Sequence, residues 1–323
     1  MLLSFAAVGA GLLLLVWAAD RFVLGAAGLA RALGIAPLVV GMVVVGFGTS
    51  APELAVSTLA ALQGSSGIAI GNVVGSNIAN VALILGVCAA IKVLDVKSQI
   101  LRRELPMCLA ASLLLFGLVV DGSLDRIDGA VLAVGFAGFI GWSLRTARAG
   151  AGDSFADELV AELPPPVSRG WAILWIAVGL VALVGASQLL VWGTVNLARA
   201  AGVSDLVIGL TIVAVGTSLP ELAASIAGLL KGEDDIALGN ILGSNLFNIL
   251  CILVAPALIA PGALPDRWVL WRDLPVMIGV MLMLYAAAAG LRGRPLKLER
   301  IDGVLLLAVY VGYTLILLAT ATG

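Results

Sequence analysis

One seven-residue motif of this 323-residue chain occurs twice with a single difference, as Gly48-Thr-Ser-Ala-Pro-Glu53-Leu and Gly216-Thr-Ser-Leu-Pro-Glu221-Leu. Each copy lies in an apolar stretch long enough to span a bilayer. Each therefore sets a carboxylate and a helix-breaking proline where hydrocarbon would normally surround the chain. An ionisable side chain at that depth costs about 2.5–3.5 kcal/mol on insertion scales. Proline removes one backbone donor and clashes with the carbonyl four residues earlier, so the helices should break just before Pro52 and Pro220. The glycine ahead of each break makes the turn easier. A break frees carbonyls, here those of Thr49 and Thr217, which persist only inside protein or beside a hydrated cavity, where they can ligate ions. The hydroxyls of Ser50 and Ser218 add hard oxygens. The bland alternative is a kinked helix whose glutamate is quietly paired, yet no intramembrane Lys or Arg stands opposite in either copy. The chemistry these residues suit is cation binding.

A second doubled motif follows each of the first: Gly71-Asn-Val-Val-Gly-Ser-Asn-Ile-Ala-Asn80 and Gly239-Asn-Ile-Leu-Gly-Ser-Asn-Leu-Phe-Asn248. Gly71 and Gly75, like Gly239 and Gly243, are four apart and give a small-residue face for close helix packing. Ser76 and Asn80 share one helix face, as do Ser244 and Asn248; these four are read as ligands. Asn72, Asn77, Asn240 and Asn245 serve either the site or the scaffold around the broken backbone. The donor set is all oxygen. The chain has no histidine, and Cys88, Cys108 and Cys251 lack metal-ligand spacing and read as small buried hydrophobes. Oxygen ligands without His or Cys suit Ca²⁺, Na⁺ or Mg²⁺ rather than zinc or copper. Ca²⁺ tolerates flexible geometry that Mg²⁺ does not. Two glutamates can neutralise one Ca²⁺ or share several Na⁺.

The elements that must position these groups are membrane helices. The composition is 61% hydrophobic and 12% charged, where a soluble domain runs nearer 25% charged, and the mean hydropathy is +1.14. No basic patch suggests nucleic acid, and no obligate protein partner is evident. Apolar runs of bilayer-spanning length predict helices 1–5 near 2–30, 36–62, 67–91, 104–120 and 127–145. Helices 6–10 are predicted near 171–198, 204–230, 235–259, 273–290 and 301–321. The N-terminal run lacks a basic flank and is read as a retained helix, not a signal peptide.

Placing 34–86 on 202–254, a shift of 168, matches 25 of 53 positions without a gap. Leu29-Ala-Arg-Ala-Leu-Gly34 recurs as Leu197-Ala-Arg-Ala-Ala-Gly202. Arg103-Glu-Leu-Pro106 recurs as Arg272-Asp-Leu-Pro275, and Arg126-Ile-Asp-Gly129 as Arg300-Ile-Asp-Gly303. The expected fold is an all-α polytopic membrane protein of ten transmembrane helices, in two five-helix repeats with helices 2 and 7 broken. Five crossings per repeat force the second copy to enter from the opposite face, the inverted arrangement of many secondary transporters. Loops after odd-numbered helices hold 13 Lys and Arg and the others four, with Arg21 inside helix 1 left out. That bias puts the odd loops in the cytoplasm and both termini outside the cytoplasmic membrane. Three segments result: 1–145, a cytoplasmic linker at 146–170, and 171–323.

With the paired motifs, the GNxxGSNxxN helices and the five-plus-five layout in view, the whole chain resembles the cation/Ca²⁺ exchanger superfamily, most closely its prokaryotic Na⁺/Ca²⁺ exchangers. The resemblance implies antiport of one Ca²⁺ for about three Na⁺ by alternating access, without a cofactor. It implies Glu53 and Glu221 as shared ligands and the carbonyls of Thr49 and Thr217 in the Ca²⁺ site. Ser76, Ser244 and the carbonyls of Gly46 and Ala214 would serve flanking Na⁺ sites, with Asn80 and Asn248 lining the middle. Helices 1 and 6 would slide against the other eight. Asn248 stands where some relatives, including K⁺-dependent ones, carry aspartate. The Ca²⁺/H⁺ branch resembles GNxxEL at the motif, not GTSxPEL. No large regulatory insert separates the repeats.

Ca²⁺/H⁺ antiport stays open as the alternative, because carboxylates at membrane depth can also carry protons. A cation channel fits broken helices in inverted repeats less well. An enzyme has no histidine base to use, and Ser50 or Ser218 beside a glutamate is a weak nucleophile.

Overall fold

The computed structural model describes residues 1–32, 50–96, 100–148, 167–231, 234–289 and 296–321. Gly46, Thr49, the first half of predicted helix 2 and the middle of the linker lie outside the described residues.

The chain is built from helices. They are α1 (Leu2–Ala32), α2 (Ala51–Leu62), α3 (Ser66–Ile91), α4 (Leu105–Leu118), α5 (Arg126–Arg148) and α6 (Arg169–Ala201). After these come α7 (Asp205–Thr217), α8 (Leu219–Lys231), α9 (Asp234–Phe247), α10 (Leu274–Ala288) and α11 (Arg300–Ala321). Among the described residues seven helices are long and apolar enough to cross a membrane, or eight if the bent pair α7–α8 counts as one span. Here α2 is the second half of predicted helix 2, and α7 and α8 together are predicted helix 7. That helix bends by 40° at Ser218. Pro220, the second residue of α8, has no N–H, so the carbonyl of Gly216 loses its helical partner. The ladder restarts with Leu222 N donating to Ser218 O at 3.1 Å.

Three pairs of helices approach closely enough to need glycine, one of them α3 against α11, where a Cβ on Gly303 would lie 2.5 Å from Ala90 N. In α1 and α6, which run antiparallel, a Cβ on Gly25 would lie 2.6 Å from Ile176 N, and one on Gly179 would lie 2.6 Å from Phe22 N. Gly11 meets Leu190 and Gly193 meets Ser4 in the same way. At a shift of 168, Gly11 matches Gly179 and Gly25 matches Gly193, so one contact is made twice. The second pair is α3 against α7: a Cβ on Gly71 would sit 2.7 Å from Leu206 O, and one on Gly75 2.8 Å from Leu210 O. These backbones touch where the doubled serine and asparagine motif lies, which presses its polar side chains against the broken helix.

Hydropathy did not foretell the π-helical turns. They run over Ala79–Leu85 in α3, Gly209–Val213 in α7, Ile100–Glu104 before α4, Asn248–Ile252 after α9 and Val269–Asp273 before α10. Nor did it foretell two short antiparallel strand pairs. β1 (Leu94–Asp95) pairs with β4 (Lys297–Leu298), and β2 (Ser123–Leu124) pairs with β3 (Gly262–Ala263). Both pairs join loops of different repeats. The larger apolar core gathers α3, α4, α9, α10 and α11. The smaller one joins α1 and α6 to α2 and to the facing residues of α3 and α7.

Candidate cation site

Glu53 and Glu221 are both fully buried, each in the first turn of the helix that follows its proline. The two carboxylates are laced together crosswise. Ser218 Oγ donates to Glu53 Oε1 at 3.2 Å, and Ser50 Oγ donates to Glu221 Oε1 at 3.4 Å. Thus the serine of each motif bonds the glutamate of the other. Ser244 Oγ also donates to Glu221 Oε1 at 3.3 Å. Glu53 Oε2 has no hydrogen-bond partner among the described residues. Two carboxylates buried this close together favour a cation between them.

The asparagines hold the frame. Asn72 Nδ2 donates to Glu53 O at 3.2 Å and to Ser57 Oγ at 2.9 Å, while its Oδ1 accepts from Thr217 Oγ1 at 3.0 Å. One amide therefore ties α2 to α7. Its matched residue Asn240 donates to Glu221 O at 3.4 Å. The hydroxyl of Thr217 also turns back to Val213 O and Ala214 O, which leaves its backbone, not its side chain, as the group it can offer a cation. Ser76 Oγ lies 3.4 Å from Ala214 O, so these two expected neighbours do meet.

Asn80 Nδ2 donates to Asn245 Oδ1 at 3.0 Å, and Asn245 Nδ2 donates to Asn77 O at 3.3 Å. This bridge between α3 and α9 puts Asn77 and Asn245 in the scaffold. Asn80 Oδ1 and both side-chain polar atoms of Asn248 are buried with no partner among the described residues. Both residues belong to π-helical turns, a geometry frequent at functional sites. Unsatisfied buried amides are costly, and their lone pairs suit a water or a cation.

The described residues contain no cluster of three or more His, Cys, Asp or Glu. A cation here would rest on two carboxylates and neutral oxygens. The structure thus brings Ser50, Glu53, Thr217, Ser218, Glu221 and Ser244 together, with Ser76 and Ala214 adjoining, while Asn80 of α3 and Asn248 just after α9 keep buried polar atoms unsatisfied among the described residues. Sequence reading singled out the parts without their cross-repeat pairing. It also passed over a second buried polar group. Asp273 accepts from Arg272 Nε at 2.6 Å and from Tyr313 Oη at 2.9 Å, and Arg272 Nη1 donates to Thr320 Oγ1 at 2.9 Å. The recurring Arg103-Glu and Arg272-Asp pairs were its only sign.

The family described as sodium/calcium exchanger protein matches residues 3–145 and 171–319. The putative antiporter CaxA of Alkalimonas amylolytica is 44% identical, over 99% of this chain and 100% of its own. Sodium/calcium exchanger MaX1 of Methanosarcina acetivorans is 31% identical, over 95% of this chain and 96% of its own. A solved structure of the sodium-calcium exchanger NCX_Mj, soaked with 10 mM Na⁺ and 10 mM Sr²⁺, is 30% identical with a TM-score of 0.63, covering 96% of this chain and 97% of that one. This chain is a multi-pass membrane transporter and belongs to the sodium/calcium exchanger family.

Proposed function

We propose that the protein is a secondary antiporter that exchanges one Ca²⁺ for about three Na⁺ by alternating access. The observation that carries the reading is the crossed pair of buried glutamates, each bonded by the serine of the other repeat. Glu53 and Glu221 are the shared ligands, and the carbonyls of Thr49 and Thr217 complete the Ca²⁺ site. Ser76, Ser244 and the carbonyls of Gly46 and Ala214 take the flanking Na⁺, with Ser50 and Ser218 orienting the carboxylates. Asn80 and Asn248 line the space between. Ten helices in two inverted repeats, over 1–145 and 171–323 with a cytoplasmic linker at 146–170 and both termini outside, are the architecture this mechanism needs. The matched glycine contacts of α1 and α6 support it.

The test is Glu53→Gln and Glu221→Gln. Each removes one of two site charges while keeping its shape. Both variants are expected to insert and fold yet lose Na⁺-dependent ⁴⁵Ca²⁺ uptake. Transport retained in both would overturn the reading. Uptake driven by a pH gradient in Na⁺-free buffer would make H⁺ the counter-ion.

A further inference from the structure

One face of α1 is turned away from the rest of the chain. On its inner side Leu15, Ala18 and Ala19 are buried, and Phe22 lies against Gly179 of α6. On the outer side Leu13 is 76% exposed, Trp17 42% and the side chain of Asp20 66%. Spacings of four and then three residues keep these three on one stripe. Toward the N-terminus the stripe continues as Ala6, Gly9 and Ala10, all exposed. A Cβ on Gly9 would meet nothing within 4 Å, so a second helix can come close there. Apolar residues on such a stripe suit lipid, but a carboxylate does not.

Depth sharpens the conflict. The glycine contacts of α1 and α6 exchange under the 168-residue match. Gly11 against Leu190 becomes Gly179 against Phe22, and Gly25 against Ile176 becomes Gly193 against Val8. Both exchanges centre α1 between Val16 and Trp17. In the inverted architecture proposed above, that centre lies at the bilayer midplane. Asp20 and Arg21 follow it by about 5–7 Å at 1.5 Å per residue. The edge of the hydrocarbon, about 15 Å from the midplane, is beyond the reach of a short aspartate. Charges at such depth pair with one another or face protein or water. Asp20 does pair with Arg21, at 3.0 Å, and the guanidinium lies over the Trp175 ring of α6, 5.2 Å from its centroid. The pair is incomplete all the same. Arg21 Nε is buried without a hydrogen-bond partner among the described residues, and most of the Asp20 side chain points outward.

An acid beside a base on one outward face complements itself. Two copies in one membrane have the same orientation, and a two-fold axis along the membrane normal sets each residue of one against its counterpart's neighbour. We propose that the outer face of α1 is a homodimer contact, closed near the midplane by two crossed ion pairs between Asp20 of each copy and Arg21 of the other. The proposal rests on the inverted antiporter architecture above.

The experiment counts subunits by single-molecule photobleaching in proteoliposomes of falling protein-to-lipid ratio. The wild-type protein should form dimers. A polar pair between membrane helices is worth about threefold in association, so Asp20→Arg and Arg21→Asp, which each lose two, should weaken dimerisation about tenfold or more. Mixing the two variants should restore it, because each carries the charge that the other lacks. Misfolding cannot produce that recovery. Wild-type monomers at every ratio would overturn the proposal and leave the face to lipid or another protein. Variants that associate as well as wild type, or a mixture no better than its parts, would overturn it too. A second measurement leaves the ion pair intact: under mild oxidation Leu13→Cys should give a disulfide-linked dimer, whereas Val134→Cys, equally exposed on α5 at 73%, should not. The reverse pattern would refute the contact. A monomeric protein with Na⁺-dependent Ca²⁺ uptake would overturn only this inference, whereas a dimer without such uptake would support it and overturn the proposed function.

Discussion

Asn72 and Asn240 occupy matched positions, but among the described residues Asn72 makes three bonds and Asn240 one, and that difference can be measured. Asn72 makes three hydrogen bonds, to Glu53 O, Ser57 Oγ and Thr217 Oγ1; Asn240 makes one described bond, to Glu221 O at 3.4 Å. Side-chain hydrogen bonds between membrane helices average about 0.6 kcal/mol, because the unfolded chain in the membrane also finds partners. Asn72→Ala should therefore cost about 2 kcal/mol and Asn240→Ala about 0.6 kcal/mol. The assay is reversible unfolding in mixed detergent micelles, read as the difference in free energy from the parent protein. Transport should follow the same order, since Asn72 fixes the backbone of Glu53 against α7. Equal costs for the two variants, or a neutral Asn72→Ala, would refute the reasoning that one amide holds α2 in register against α7.

Arg272→Met should cost about 3–5 kcal/mol, because it strands Asp273, fully buried, without its countercharge; unfolding of the same kind checks it, and the doubly substituted Arg272→Met/Asp273→Leu should recover much of the loss. Gly75→Val should separate α3 from α7, since even a Cβ would lie 2.8 Å from Leu210 O and the main chain there cannot step aside. About 1–3 kcal/mol of overpacking and a large fall in Ca²⁺ uptake are expected, where Gly117→Ala, with open space around it, should be silent in both measurements.

The fold was legible wherever a single physical cause sets the outcome. Apolar runs of bilayer length placed the described helices to within a few residues. Pro220 placed the bend of helix 7, because a missing N–H breaks a helix in any context. The spacing of Gly71 and Gly75 announced a close helix contact, though not that its partner would be α7. What stayed hidden depends on register between distant segments. That Ser218 bonds Glu53 and Ser50 bonds Glu221 follows from how two repeats interlock, and neither motif encodes it alone. The π-helical turn starting at Asn248 leaves the hydrophobic pattern nearly unchanged, so periodicity cannot report it. Tyr313 and Asp273 are 40 residues apart, and nothing in either's neighbourhood advertises the other.

The central claim is that two crossed glutamates carry Ca²⁺ against Na⁺. Its most direct test is ⁴⁵Ca²⁺ uptake into proteoliposomes loaded with Na⁺, beside matched vesicles loaded with K⁺ or choline at fixed pH. Uptake only with internal Na⁺ is the predicted result. Uptake indifferent to internal Na⁺ would contradict it.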